Sequence, residues 1–183
     1  MRRVSEFDKS KLIEISSKKS VANIYVNAFP IEQVQVRIAT YGPPQQFIDI
    51  FIDFAEFLRI TQDVKSGKLF KDLEKSNQQI VLARGGTPAS RSKREDGQAE
   101  SRTLTIGLMN NAIFLNASSG PGTSTETGAI TPSGAPDKKV SASMSIDDCK
   151  KLFLYTEAAI QAYLPTIVNQ LVNYANSQRN QNS

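Results

Sequence analysis

Residues 21–29 read VANIYVNAF, residues 33–41 read QVQVRIATY and residues 45–52 read QQFIDIFI. Successive side chains of a strand point to opposite faces, so each stretch separates into two rows. One row is aliphatic: Ala22, Ile24, Val26 and Ala28, then Val34, Val36 and Ile38, then Ile48, Ile50 and Ile52. The other holds Asn23, Tyr25, Asn27 and Phe29, then Gln33, Gln35, Arg37 and Tyr41, then Phe47, Asp49 and Phe51. The first row is the core side of an antiparallel sheet. Rings beside Arg and Asn on the other side suit the stacking of unpaired bases, and equally the packing of Phe47 and Phe51 under a helix or a subunit.

Working outward, Phe29-Pro30-Ile31 and Gly42-Pro43-Pro44 break these strands from one another. A helix is predicted from Phe54 to Val64, capped by Asp53 with Glu56 at its third position, and ended by Lys65-Ser66-Gly67. Leu69, Phe70 and Leu73 predict a second short helical segment before Ser76-Asn77. Strands return at residues 79–84, 102–109, 111–118 and 139–144, with a tight turn at Met109-Asn110-Asn111. Ser145, with Asp148 three residues on, forms a capping box for the longest helix. That helix carries the stripe Ile146, Cys149, Leu152, Phe153, Ile160 and Leu164. Pro165 kinks or restarts it, and Ile167, Val168, Leu171 and Val172 extend the apolar face.

The resulting fold class is α+β, with two antiparallel sheet-plus-helix halves joined by long hairpin loops. Residues 1–20 form a flexible basic arm. Residues 21–172 form one domain of two halves, about 21–75 and 78–172, and residues 173–183 a disordered tail. Each half ends with a strand running into a helix. The connections 85–101, basic and polar, and 119–137, rich in Gly, Ser, Thr and Pro, exceed the usual loop length and so read as functional or disordered. The first has no apolar anchor and is expected to be mobile.

Charge and chemistry narrow the function. The balance of 22 basic against 18 acidic residues gives +4. The cations cluster before the first strand and around Arg84, Arg91, Lys93, Arg94 and Arg102, where they would neutralise phosphates. The chain has no histidine and one cysteine, so the usual general base and the thiolate zinc site are both missing. No phosphate loop, nucleophile elbow or dinucleotide fingerprint is present. A non-enzyme without metal or cofactor is expected; a hydrolase built on carboxylates is disfavoured, since Asp147-Asp148 belong to a helix start. No apolar run is long enough to span a membrane, the N-terminus lacks the apolar segment of a secretory signal, and lone Cys149 suits a reducing compartment, so a cytoplasmic protein is expected.

The arrangement of antiparallel strands feeding a helix, repeated twice with long hairpin loops, resembles the Whirly group of single-stranded DNA-binding proteins. The half-unit is similar to the transcriptional positive cofactor four. The resemblance covers about residues 20–165 and rests on element order and loop placement. The Lys-Gly-Lys-Ala-Ala-Leu segment of plant members is absent, Ser66-Gly67-Lys68-Leu69 standing apart from it, so no residue role is carried over. It implies sheets that bind single strands with little sequence preference, and oligomers packed through helices.

The expected function is therefore single-stranded DNA binding, with RNA an equal fit to stacking on a sheet. Tyr25, Tyr41, Phe47 and Phe51 would stack on bases. Arg37, Arg84, Arg91, Lys93, Arg94 and Lys139 would meet phosphates, while Asn23, Asn27, Gln35 and Asn116 offer hydrogen bonds. A homo-oligomer is expected through Ile160, Leu164, Ile167 and Leu171. Phage, plasmid or conjugative-element proteins of this size are natural homes. The alternative is a structural or assembly protein, a virion or plasmid-maintenance component, that uses the same aromatic face for subunit packing.

Overall fold

The computed structural model describes residues 10–76 and 79–181, with side chains to residue 169. The N-terminal arm to residue 9, Asn77, and the side chains of Leu171 and Val172 lie outside the described residues. The fold is α+β, with two antiparallel sheets and three helices.

The first sheet is a meander of β1 (Lys11–Ser16), β2 (Ser20–Tyr25), β3 (Gln33–Thr40) and β4 (Phe47–Asp53) in sequential order. The predicted basic arm thus contributes an edge strand at its end. Helix α1 (Phe54–Lys65) and helix α2 (Lys68–Ser76) follow. The second sheet is built from β5 (Ile80–Thr87), β6 (Ala99–Met109), β7 (Ala112–Ser124), β8 (Ile130–Pro132) and β9 (Lys138–Met144). Strand β9 pairs with the first part of β7 and β8 with its far end. Without β8, each half is a four-stranded meander running into a helix. Helix α3 (Ile146–Gln181) closes the chain.

The aliphatic rows land where alternation places them. Ala22, Ile24, Val34, Val36, Ile38, Ile48, Ile50 and Ile52 share one core with Leu104, Ile106, Ile113, Leu115, Val140 and Ala142 of the second sheet. The helices join the halves: α2 reaches β6 and α3 reaches β1. The Phe57 and Phe153 rings lie 5.2 Å apart between α1 and α3. Beside them Lys65 and Gln62 donate to the buried Glu157 carboxylate at 3.3 Å. Cys149 is fully buried, which pushes its thiol up to about 12. Among the described residues, no helix is long and apolar enough to cross a membrane.

Local chemistry accounts for the ends. Ser145 Oγ accepts the Asp148 N–H at 3.0 Å, the N-cap half of the capping box expected of α3, and donates to the Asp148 carboxylate at 2.8 Å. Asn110 and Asn111 both take positive φ, 50° and 61°, which lets a two-residue turn join β6 to β7. Asp53 sits at the N-cap of α1 but makes no side-chain cap. Its carboxylate accepts Gln33 Nε2 at 2.9 Å, and the Phe54 N–H donates instead to the Glu32 carbonyl.

Three expectations are corrected. The backbone of α3 runs through Pro165 to Gln181, where a disordered tail is predicted. After that proline no Gly or Pro interrupts the chain, and an existing helix gains one hydrogen bond per added residue. The loop expected at 119–137 is about half strand, since β7 continues to Ser124 and β8 returns against it. Its anchor is Ile130, seated on two glycines. A Cβ at Gly86 would lie 2.7 Å from Ile130 Cγ2, and one at Gly122 2.8 Å. The basic connection is also anchored. Arg94 donates to Asp96 at 2.6 Å and to Asp137 across the neighbouring loop.

Candidate nucleic-acid interface

Strand β4 is an edge of the first sheet, so no further strand of that sheet pairs with it. Phe47 is 47 % exposed and Phe51 40 %. They stand four residues apart on one face, roughly 13 Å at the strand rise. Asp49 lies between them and faces Arg37 on β3. Arg37 donates Nε and Nη2 to the two Asp49 oxygens, both at 2.7 Å, and its guanidinium lies 4.4 Å from the centre of the Phe47 ring and 5.3 Å from that of Tyr25. The Asp49 bond holds Arg37 above its ordinary value, against burial. The pair cancels the charge between the two rings and stiffens the floor beneath them.

The second sheet supplies cations beside this row. Glu100, Arg102 and Lys138 share strand parity with the inward-facing Leu104 and Val140, so they continue the face turned towards the first sheet. Lys138 Nζ lies 5.4 Å from the Phe47 ring centre. Phe51, Gln33, Arg84, Arg91 and Arg102 line a cleft of about 470 Å³ between β4 and β5, together with Asp49, Asp53 and Glu56. Arg102 is tied to Glu100 at 2.7 Å, and Ser119 donates to the same carboxylate at 2.5 Å. Burial pushes the Glu100 carboxyl upward, but these two bonds outweigh it and leave it below its ordinary value. Among the described residues, Arg84 and Arg91 have no carboxylate partner.

Of the sequence-predicted residues, the structure brings Phe51, Arg84 and Arg91 together around the cleft, while Phe47 stands at the other end of the row against Arg37. Tyr25 is only 6 % exposed and lies under Arg37, so it is not an open stacking surface. Asn23 and Gln35 are buried with it. Arg37 is bound to Asp49 and held between the Phe47 and Tyr25 rings. Tyr41 stands at the opposite end of its sheet, its hydroxyl 3.0 Å from Ser16 Oγ and its N–H bonded to the Lys19 carbonyl. Arg94 is committed to Asp96 first and Asp137 second, which raises its own value and holds Asp96 low. Lys93 sits in that acid-rich loop, away from the cleft. Lys139 and Asn116 lie on the far face of the second sheet.

Sequence reasoning counted Arg102 in the basic cluster but left both Arg102 and Lys138 out of the residues expected to contact a strand. Their signal is parity: in Lys138-Lys139-Val140 it is Lys138 that alternates with the core residue. A comparison with family models and with curated proteins finds no match for this chain. Among the described residues, no cluster of His, Cys, Asp and Glu is placed to hold a metal ion.

Proposed function

We propose that this chain is a non-enzymatic protein that binds single-stranded DNA with little sequence selectivity. The observation that carries the reading is the exposed pair Phe47 and Phe51 on one edge strand, flanked by Lys138 at one end and by Arg84 and Arg91 at the other. Rings on an open strand take any base, because every base has a π-face, and the adjacent cations take the phosphates. The cancelled charge of Asp49 supports the same reading, since a free carboxylate there would repel the backbone. RNA fits the same chemistry, and the Whirly-like arrangement of two meander-plus-helix halves, acting in the cytoplasm on phage or plasmid DNA, belongs to this proposal.

The test is a gel shift with labelled oligo-dT of about 30 nucleotides against its duplex, at two salt concentrations. Preference for the single strand, weakening with salt, is expected; equal or salt-indifferent binding refutes the reading.

One observation favours the alternative of an assembly protein. Helix α3 leaves Leu154, Tyr155, Leu164 and Val168 exposed, with Leu164 and Val168 one turn apart on one side. An uncovered apolar helix side suits packing against another copy. This surface shares Leu164 with the stripe read in the sequence but not Ile160, which is fully buried within its own chain. It is also separate from the β4 cleft, so self-association and strand binding are compatible.

A further inference from the structure

Arg84 lines two depressions at once. One is the β4 cleft; the other lies round the β5 edge on the outer face of the second sheet, against Thr103, Ser118, Gly120 and Pro136. The bulge between Val81 and Ala83 causes this. It buries both Leu82 and Ala83 and turns Arg84 outward at the edge.

The strand register defines the outer face. Arg84, Thr103, Ser118 and Lys139 form one row across β5, β6, β7 and β9. Thr105, Asn116 and Ser141 form the next, and Phe114 pairs with Ser143 beyond them. At that far end a second depression joins Phe114, Ser141 and Ser143 to Lys18 and Lys19 of the β1–β2 turn. The face thus offers hydroxyls, an amide and one half-buried ring, with cations at both ends. No carboxylate lines either depression. Among the described residues, no carboxylate forms an ion pair with Lys18, Lys19, Lys139 or Arg84.

The β4 cleft has the opposite balance, since Asp53 and Glu56 stand in it beside the arginines. It is well made for rings and bases and poorly made for a run of phosphates. The outer face is the reverse. The row from Arg84 to Lys139 crosses three strand spacings, roughly 14 Å, and Phe114 lies another four residues, about 13 Å, along β7 from Ser118.

We propose that a single strand seated in the β4 cleft turns round β5 at Arg84 and continues across the outer face of the second sheet. There Thr103 and Ser118 meet its backbone, Phe114 stacks on a base, and Lys18 and Lys19 hold its far phosphates. The proposal rests on the single-strand reading of the cleft and extends it to a second surface.

The test uses the full chain with a double variant, Lys18→Ala with Lys19→Ala, and separately Phe114→Leu, which keeps apolar bulk but removes the ring. Each is titrated by fluorescence anisotropy with dT of about 6 and about 20 nucleotides, lengths near either end of the range small single-strand binders cover. For the long oligonucleotide, the double variant should lower the log–log salt slope by up to about 1.4, at about 0.7 per lost contact. Phe114→Leu should weaken it about fivefold or more. The short oligonucleotide should bind both variants as it binds the wild type. Unchanged affinity and slope for the long oligonucleotide, while Phe51→Leu weakens both lengths, would overturn the proposal and leave the cleft reading standing. Failure of the wild type to bind either length would overturn both.

Discussion

Replacing Phe51 by leucine separates a binding ring from a packing ring. Phe51 is 40 % exposed, so about 60 % of a ring side chain near 200 Å² is covered. Leucine refills most of that covered part, and such apolar swaps cost less than about 1.5 kcal/mol. For a chain of 183 residues this lowers the melting temperature by only about 3–6 °C. The lost stacking is worth about 1–3 kcal/mol per base, a drop in affinity of roughly 5- to 150-fold. Tyr25→Ala should behave in the opposite way. That ring is 6 % exposed and carries the Arg37 guanidinium, so truncation should cost about 3–5 kcal/mol of stability with affinity unchanged in the fraction that stays folded. The measurements are thermal melts by circular dichroism and anisotropy titrations with oligo-dT at fixed salt. Wild-type affinity in Phe51→Leu, at any stability, would refute stacking on β4.

The two arginines of the basic connection should separate: Arg91→Ala should lower the salt slope for single strands by up to about 0.7, while Arg94→Ala leaves the slope alone and speeds protease cleavage between residues 88 and 98. Gly86→Ala should destabilise strongly, since its Cβ would run into the Glu100 carbonyl oxygen of β6 and lie 2.7 Å from Ile130 Cγ2 of β8; a melting temperature within 2 °C of wild type, about 1 kcal/mol or less, would show that these strands yield without cost. Acid should destabilise the fold. Asp148, held low first by Ser145 and then by Lys151, Asp96 and Glu100 all have native values below their unfolded ones. The unfolded chain therefore binds more protons as pH falls, so their stabilisation is complete above about pH 5 and is lost as pH drops through the native values. With no histidine in the chain, the melting temperature should stay flat between about pH 6 and 8, and a clear inflection there would contradict this account.

Much of the fold was legible because burial acts locally through period. Ile48, Ile50 and Ile52 can face the core only if Phe47, Asp49 and Phe51 face away, and a one-residue slip would reverse all six. The capping box at Ser145 and the Asn110-Asn111 turn depend on neighbours within a few residues, so they too were readable. The α+β class with two sheet-plus-helix halves followed from these signals alone.

Exposure was not legible, because it depends on what lies beside a strand and not on the strand's own pattern. Tyr25 and Phe51 occupy the same outward row and pair through Gln35, yet one is buried and the other open. Charge pairing was hidden for the same reason: Arg94 meets Asp137, 43 residues away, and Arg37 meets Asp49 across a register that the sequence does not print. The joining of Phe51 to Arg84, Arg91 and Arg102 depends on how the two sheets meet, which many small packing terms fix together. Alternation determined which side chains point out from each strand. Tertiary contact alone decided which of those remain uncovered and which cations stand beside them.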